Sequence, residues 1–393
     1  MSYRLPGSLF YCVIAFAAIQ AQTQSKSNSG DAARKHYDLA QSYERINDWT
    51  AAEQEWRQAV TIQPNDARAW TNLGVVLNKQ NKTAEAIDAW KHATEIDPTL
   101  GGAYLNIGLI YFKIARYAEA TANLHRAVAL EPENVQAREL LALSLIAVED
   151  FQGAIEHLEI LYAQKHRDAP ILLALGQSYL RLKVYDKAVT RLEELTHVSP
   201  DSAQAHLLLG EALDNASESE RAILEFRRAA ELDPRLPEAH YALGYAHLKK
   251  GELDEAARCF SEELQINPTM TLALYHLGKV NLDRGLTDDA VLMLTKVVEA
   301  EPDFRPGLEA LGQALLKKKD ATRAVEVLER AVKLDSQWPD GHVLLGRAYL
   351  AAGRRDDARK EFTTAQRLSN EERKRLEEKM RGSKPRGLLM NHD

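Results

Sequence analysis

The chain repeats itself every 34 residues, and that period restricts it to architectures made by stacking one small unit. Aligned on recurring alanine, glycine and proline, ten units run from residue 33 to residue 372 without an insertion or deletion. The twentieth position is alanine in every unit: Ala52, Ala86, Ala120, Ala154, Ala188, Ala222, Ala256, Ala290, Ala324 and Ala358. The eighth position is glycine at Gly74, Gly108, Gly176, Gly210, Gly244, Gly278, Gly312 and Gly346, and alanine at Ala40 and Ala142. Each of these positions falls inside a helical pattern, where glycine costs about 1 kcal/mol relative to alanine. Its recurrence there requires that a second helix come too close for a side chain.

Within a unit, apolar residues recur at helical spacing in two stretches, as in Trp70, Leu73 and Leu77, then Ile87, Trp90 and Ala93. Prolines at Pro64, Pro98, Pro132, Pro200, Pro234, Pro268 and Pro302 punctuate the end of the second stretch. The unit therefore reads as helix, turn, helix. The pattern Trp70-x-x-Leu73-Gly74, with Ala86, Trp90, Ala93 and Pro98, resembles the tetratricopeptide repeat over most of the chain. That resemblance implies an all-α fold: a right-handed superhelical solenoid of ten helix-turn-helix repeats with a C-terminal capping helix, stabilised by neighbour stacking. The fourth unit departs from the pattern at Leu161 and His166, so altered pitch or a hinge between units four and five is one reading and plain tolerance the other.

The segments outside the repeats read differently. Arg4, the apolar run Leu9 to Ile19 and the small residue Ala21 give residues 1–21 the pattern of a secretory signal peptide. The run falls short of the roughly 20 residues that span a bilayer, which makes an uncleaved anchor the weaker alternative. No small-residue lipoprotein box precedes Cys12. Residues 22–32 form a polar linker, expected to be flexible, and 373–393 a capping helix and tail, with Leu376 and Met380 on a docked face. An exported location follows: periplasmic, secreted or in a secretory lumen.

Composition and motifs narrow the function. With 50 Lys and Arg against 57 Asp and Glu the formal net charge is -7, which offers no field to draw in nucleic acid. The chain carries no His-Glu-x-x-His, paired Cys-x-x-Cys, P-loop or Gly-x-Ser-x-Gly element. No catalytic residue, cofactor or metal site is expected. His206, His240 and His342 occupy the fourth repeat position, where packing explains them better than ligation, and Cys259 reads as a buried small hydrophobe.

In tetratricopeptide arrays the first helix of each unit lines the concave surface, through its second, fifth, sixth, ninth, twelfth and thirteenth positions. Mapped here, these positions give Asn72, Val75, Leu105, Asn106, Leu109 and Phe112 in units two and three. Paired amides beside an apolar strip suit an extended peptide. Asn72 and Asn106 resemble the asparagine ladder of O-linked N-acetylglucosamine transferases, but Leu140 ends it. The family's carboxylate clamp is missing, since Tyr37, Gln41, Gly102 and Asn106 stand at its places around Asn72. A second patch comprises Tyr241, Tyr245, Tyr275 and Lys279. Packing between adjacent repeats is the other reading of Leu105, Leu109 and Tyr245.

The expectation is a non-catalytic scaffold that binds protein or peptide partners in this groove, without nucleic acid or an integral membrane segment after signal cleavage. Peripheral association with a membrane complex is compatible with it. The alternative is a substrate-recruiting subunit of a glycosyltransferase or other enzyme complex.

Overall fold

The computed structural model describes residues 30–164 and 167–382, which form twenty helices and no strand. They pair as the repeats require. Helix α1 (30–45) pairs with α2 (Trp49–Ile62), α3 (Ala67–Lys79) with α4 (Thr83–Ile96), α5 (Gly101–Lys113) with α6 (Tyr117–Leu130), and α7 (Val135–Ala147) with α8 (Phe151–Ala163). Next come α9 (Ala169–Arg181) with α10 (Tyr185–Val198), α11 (Ala203–Asn215) with α12 (Ser219–Leu232), and α13 (Ala239–Lys250) with α14 (Leu253–Ile266). The last pairs are α15 (Thr271–Asp283) with α16 (Thr287–Ala300), α17 (Arg305–Lys318) with α18 (Ala321–Leu334), and α19 (Pro339–Ala351) with α20 (Arg355–Gly382). The chain divides into two compact units, one reaching to Arg191 and the other starting at Leu192, within α10.

Local chemistry sets the helix ends. Asp48, Asp150 and Asp320 accept backbone N–H bonds at the starts of α2, α8 and α18, and Asp66, Asn134 and Ser202 do so for α3, α7 and α11. The turn inside each pair needs one left-handed residue, and the fifteenth repeat position supplies it throughout, from Asn47 and Asn81 to Lys319 and Gly353. Glycine fills it only at Gly251, Gly285 and Gly353.

Packing follows the two constant positions. All ten alanines of the twentieth position are fully buried. A Cβ added at Gly74 would lie 2.4 Å from the Trp90 ring, at Gly210 2.5 Å from Phe226 and at Gly312 2.5 Å from Leu328. The eighth position thus lets the paired helix seat its large side chain against bare backbone. Within each unit, second helices also meet the next first helix, as α4 meets α5 and α14 meets α15. Successive first helices touch as well, α5 with α7 in one unit and α11 with α13, α13 with α15 and α15 with α17 in the other. Within each unit, the first helices therefore lie on the more tightly curved side.

The fourth position packs as a buried leucine at Leu172, Leu274 and Leu308, and carries a polar staple in five other units. Trp70 Nε1 donates to the Pro64 carbonyl at 2.9 Å, Arg138 to Pro132 at 2.5 Å, and the Nε2 atoms of His206, His240 and His342 meet the carbonyls of Pro200, Pro234 and Ser336 at 3.0, 3.3 and 3.2 Å. In each case the acceptor lies two residues beyond the preceding second helix, in the turn that leads to the next repeat. The opposite ring nitrogens of His206 and His342 meet Glu225 and Glu361 at 2.6 and 2.5 Å.

Two boundaries differ from the sequence reading. Residues 30–32, placed in the linker, belong to α1, because the helix extends one turn before the first repeat position. The C-terminal cap is a continuation of α20, not a separate helix. Leu376 stands 60% exposed on it, so the docked face is absent at that residue. Leu161 is fully buried, whereas His166 lies outside the described residues, as do the signal-peptide segment and the tail from 383 onward.

Candidate interaction surface

In the first compact unit, α3 presents Asn72 and Val75, and α5 presents Leu105, Asn106, Leu109 and Phe112. All six are half-buried, neither locked in the core nor freely solvated. The Asn72 and Asn106 amides make no hydrogen bond within the described residues, so both keep donors and acceptors for a ligand. Phe112 stands edge-on to Tyr117 with ring centres 5.6 Å apart, which fixes its orientation. The ninth position continues the apolar strip from Val75 and Leu109 to Leu143 on α7, 43% exposed. The sequence reading missed Leu143, although its signal was present: leucine at a groove-facing register position one repeat beyond Leu109.

In the second unit the tyrosine patch is a connected aromatic cluster. Tyr241 and Tyr245 on α13 stack with centres 6.3 Å apart, and His276 on α15 lies 5.9 and 5.3 Å from them. Tyr275 contacts His276 at 5.1 Å and Phe304 at 5.3 Å, and Lys279 Nζ sits 5.7 Å from the Tyr275 ring centre. Tyr241 and Tyr275 are half-buried, Tyr245 and Lys279 exposed. Tyr241 also rests on the buried Phe260, with ring centres 5.7 Å apart.

Burial lowers the His276 pKa to about 4, helped by the nearby Lys279 charge, so the ring is neutral near pH 7. Burial also raises the Tyr241 phenol, with Tyr245 and Glu238 adding to the shift. Beside this cluster, a pocket of about 290 Å³ opens between α11, α12 and α13. Leu207, Leu208 and Phe226 supply apolar lining, and Tyr241 and Tyr245 one wall. Gln204, Glu211, Asp214 and Glu238 make it polar, and Asp214 pairs with Lys249 at 2.7 Å.

The start of α13 is unusual. Glu238 has φ +69°, the one left-handed residue outside the fifteenth position among the described residues. The carboxylate of Glu263, 1% exposed, accepts the backbone N–H of Glu238 and of Tyr241, each at 3.2 Å. It replaces the missing side-chain cap.

No group of three potential metal ligands occurs among the described residues. Cys259 is fully buried, and burial pushes its thiol up to about 11. No described helix is long and apolar enough to cross a membrane.

Models of the tetratricopeptide repeat match residues 173–237 and 273–341, 237–270, and 315–375. A further model, the middle TPR-like domain of cilia and flagella-associated protein 70, matches residues 36–154. The chain is a tetratricopeptide repeat protein. Similar solved structures include the crystal structure of MamA, 20% identical with TM-score 0.41 over 42% of this chain and 97% of that one. Naa15/Naa10 bound to HypK-THB is 18% identical, TM-score 0.46, over 87% and 64%, and the P58(IPK) TPR domain is 17% identical, TM-score 0.28, over 90% and 99%. No curated protein matches the sequence closely enough to count as a relative.

Proposed function

We propose that this chain is a non-catalytic scaffold that holds protein or peptide partners on the first-helix face of its repeats. The observation that carries the reading is the pair of unsatisfied amides, Asn72 and Asn106, one repeat apart beside a half-exposed apolar strip. An extended segment lying across α3, α5 and α7 would meet amides that read its backbone and apolar side chains that take its own. Burying Leu105, Leu109 and Phe112 contributes roughly 1.5 to 3 kcal/mol each. Association costs roughly 4 to 15 kcal/mol, so useful affinity needs several repeats to engage one partner.

The test is a crosslinked pull-down from the native host. Leu105→Glu, Phe112→Glu and Tyr241→Ala, Tyr275→Ala double variants are compared with the parent chain at equal helicity. Loss of a recovered partner from either variant supports the face; retention by both overturns it.

The same reading places the protein in an exported compartment, supported by Arg4, the Leu9 to Ile19 run and Ala21. N-terminal sequencing of the protein from fractionated cells is expected to begin near Gln22. An intact Met1 in the cytoplasmic fraction would contradict export.

A further inference from the structure

We propose that the groove between α19 and the exposed face of α20, at the end of the array, seats an acidic amphipathic helix from a partner protein in the place an eleventh first helix would take. This surface is separate from the first-helix face and does not depend on it.

The other repeats define what such a seat takes. In the second compact unit α12, α14, α16 and α18 are each covered by the first helix that follows. The contact uses the third position of the incoming helix, where a Cβ added at Gly307 would lie 2.7 Å from Val297 of α16. Elsewhere that position is a fully buried alanine, as at Ala69, Ala103, Ala205 and Ala273, and the seventh position, one turn on, is a buried leucine such as Leu311 or Leu345. No first helix follows α20 among the described residues. Two side chains lose their cover as a result. Phe362 is the one half-buried residue of the twenty-fourth position, which is buried in the other nine units, and Leu350, 50% exposed, is the one exposed residue of the twelfth. They line a groove of about 900 Å³, room for a row of side chains along one helix face.

Charge selects the occupant. Arg355, Arg359, Arg367 and Lys374 line the groove against one carboxylate, that of Glu371, which is already bonded to Arg367 at 2.9 Å. Arg355, Arg359 and Lys374 make no ion pair among the described residues. The positive surplus favours an acidic helix and disfavours what this chain could supply. Helix α1 of a second copy carries Lys35 at the third position, and the seat would bury that ammonium among cations. Pairing α20 with its own copy would bring two cationic grooves together, and residues 383–393 carry Lys384 and Arg386.

The probe is a synthetic peptide in the first-helix register, alanine at the third position and leucine at the seventh, held helical by a hydrocarbon staple. It is made with glutamates or with lysines flanking the apolar face and titrated into the full chain by fluorescence anisotropy. The glutamate peptide is expected to bind at least about tenfold more tightly than the lysine peptide. An Arg355→Glu, Arg359→Glu double variant, exposed at both positions and checked for unchanged circular dichroism, should reverse that preference. Leu350→Ala should weaken the glutamate peptide by about tenfold. Equal binding of the two peptides, no binding of the glutamate peptide, or affinities unmoved by both variants overturn the proposal. Binding that appears only after Leu388→Glu, Leu389→Glu would give the seat to residues 383–393. A dimer in sedimentation velocity that Leu350→Ala dissolves would give it to a second copy, and either result overturns the partner helix.

Discussion

Gly210 shows how single residues carry the architecture. It is helical, and alanine there would ordinarily stabilise the helix, yet the new Cβ would stand 2.5 Å from the Phe226 ring. Overpacking of that kind costs about 1 to 3 kcal/mol, so Gly210→Ala is expected to lower the urea midpoint. Gly102, exposed in the first turn of α5, has no atom within 4 Å of its added Cβ. Gly102→Ala should raise stability by about 0.5 kcal/mol. Equal effects from the two would contradict the close-approach account.

His276 gives a pH prediction at the same scale. Its folded pKa, about 4, lies below the ordinary value of 6.5, so between these values the unfolded chain binds a proton that the folded chain refuses. Stability attributable to this residue is complete above pH 6.5 and is lost as the pH falls toward 4, at up to about 1.4 kcal/mol per pH unit. The His276→Phe variant is expected to show a smaller loss of urea midpoint between about pH 6.5 and pH 5 than the parent. An identical loss in both would show that His276 titrates normally.

At the scale of elements, the repeat made most of the fold legible. Alanine at the twentieth position and glycine at the eighth are direct records of buried helix contact, and the structure places them there. What escaped were interactions in which polar side chains bond backbone groups beside a helix end. The His206, His240 and His342 staples depend on carbonyls six residues upstream, which carry no side-chain signal. The start of α13 depends on Glu263, a carboxylate at the twenty-seventh position where most units carry alanine. Glu263→Ala leaves two N–H groups without their acceptor, at about 1 to 3 kcal/mol each when buried. The expected result is a lower unfolding midpoint, with faster hydrogen exchange at the Glu238 and Tyr241 amides. Exchange unchanged at both amides would rule out Glu263 as the cap of α13.

At the scale of the whole molecule, the candidate site was legible only in part. The register of the first helices named Asn72, Leu105, Asn106, Leu109, Phe112 and the tyrosine patch, because a repeat assigns every position a face. Leu143 was missed although its register position signalled it, and the pocket beside Tyr241 was missed because concavity arises only when neighbouring repeats are packed together. The rival surface is the outer face of the second helices, where Leu224 and Leu292 are 59% and 53% exposed. Site-specific photocrosslinking separates the two most directly. With a benzophenone side chain placed in turn at Asn72, Leu109, Tyr245, Leu224 and Leu292, the partner should be captured from the first three positions and not from the last two. Capture from Leu224 and Leu292 with none from the first helices would contradict the claim that the first-helix face is where this protein holds its partners.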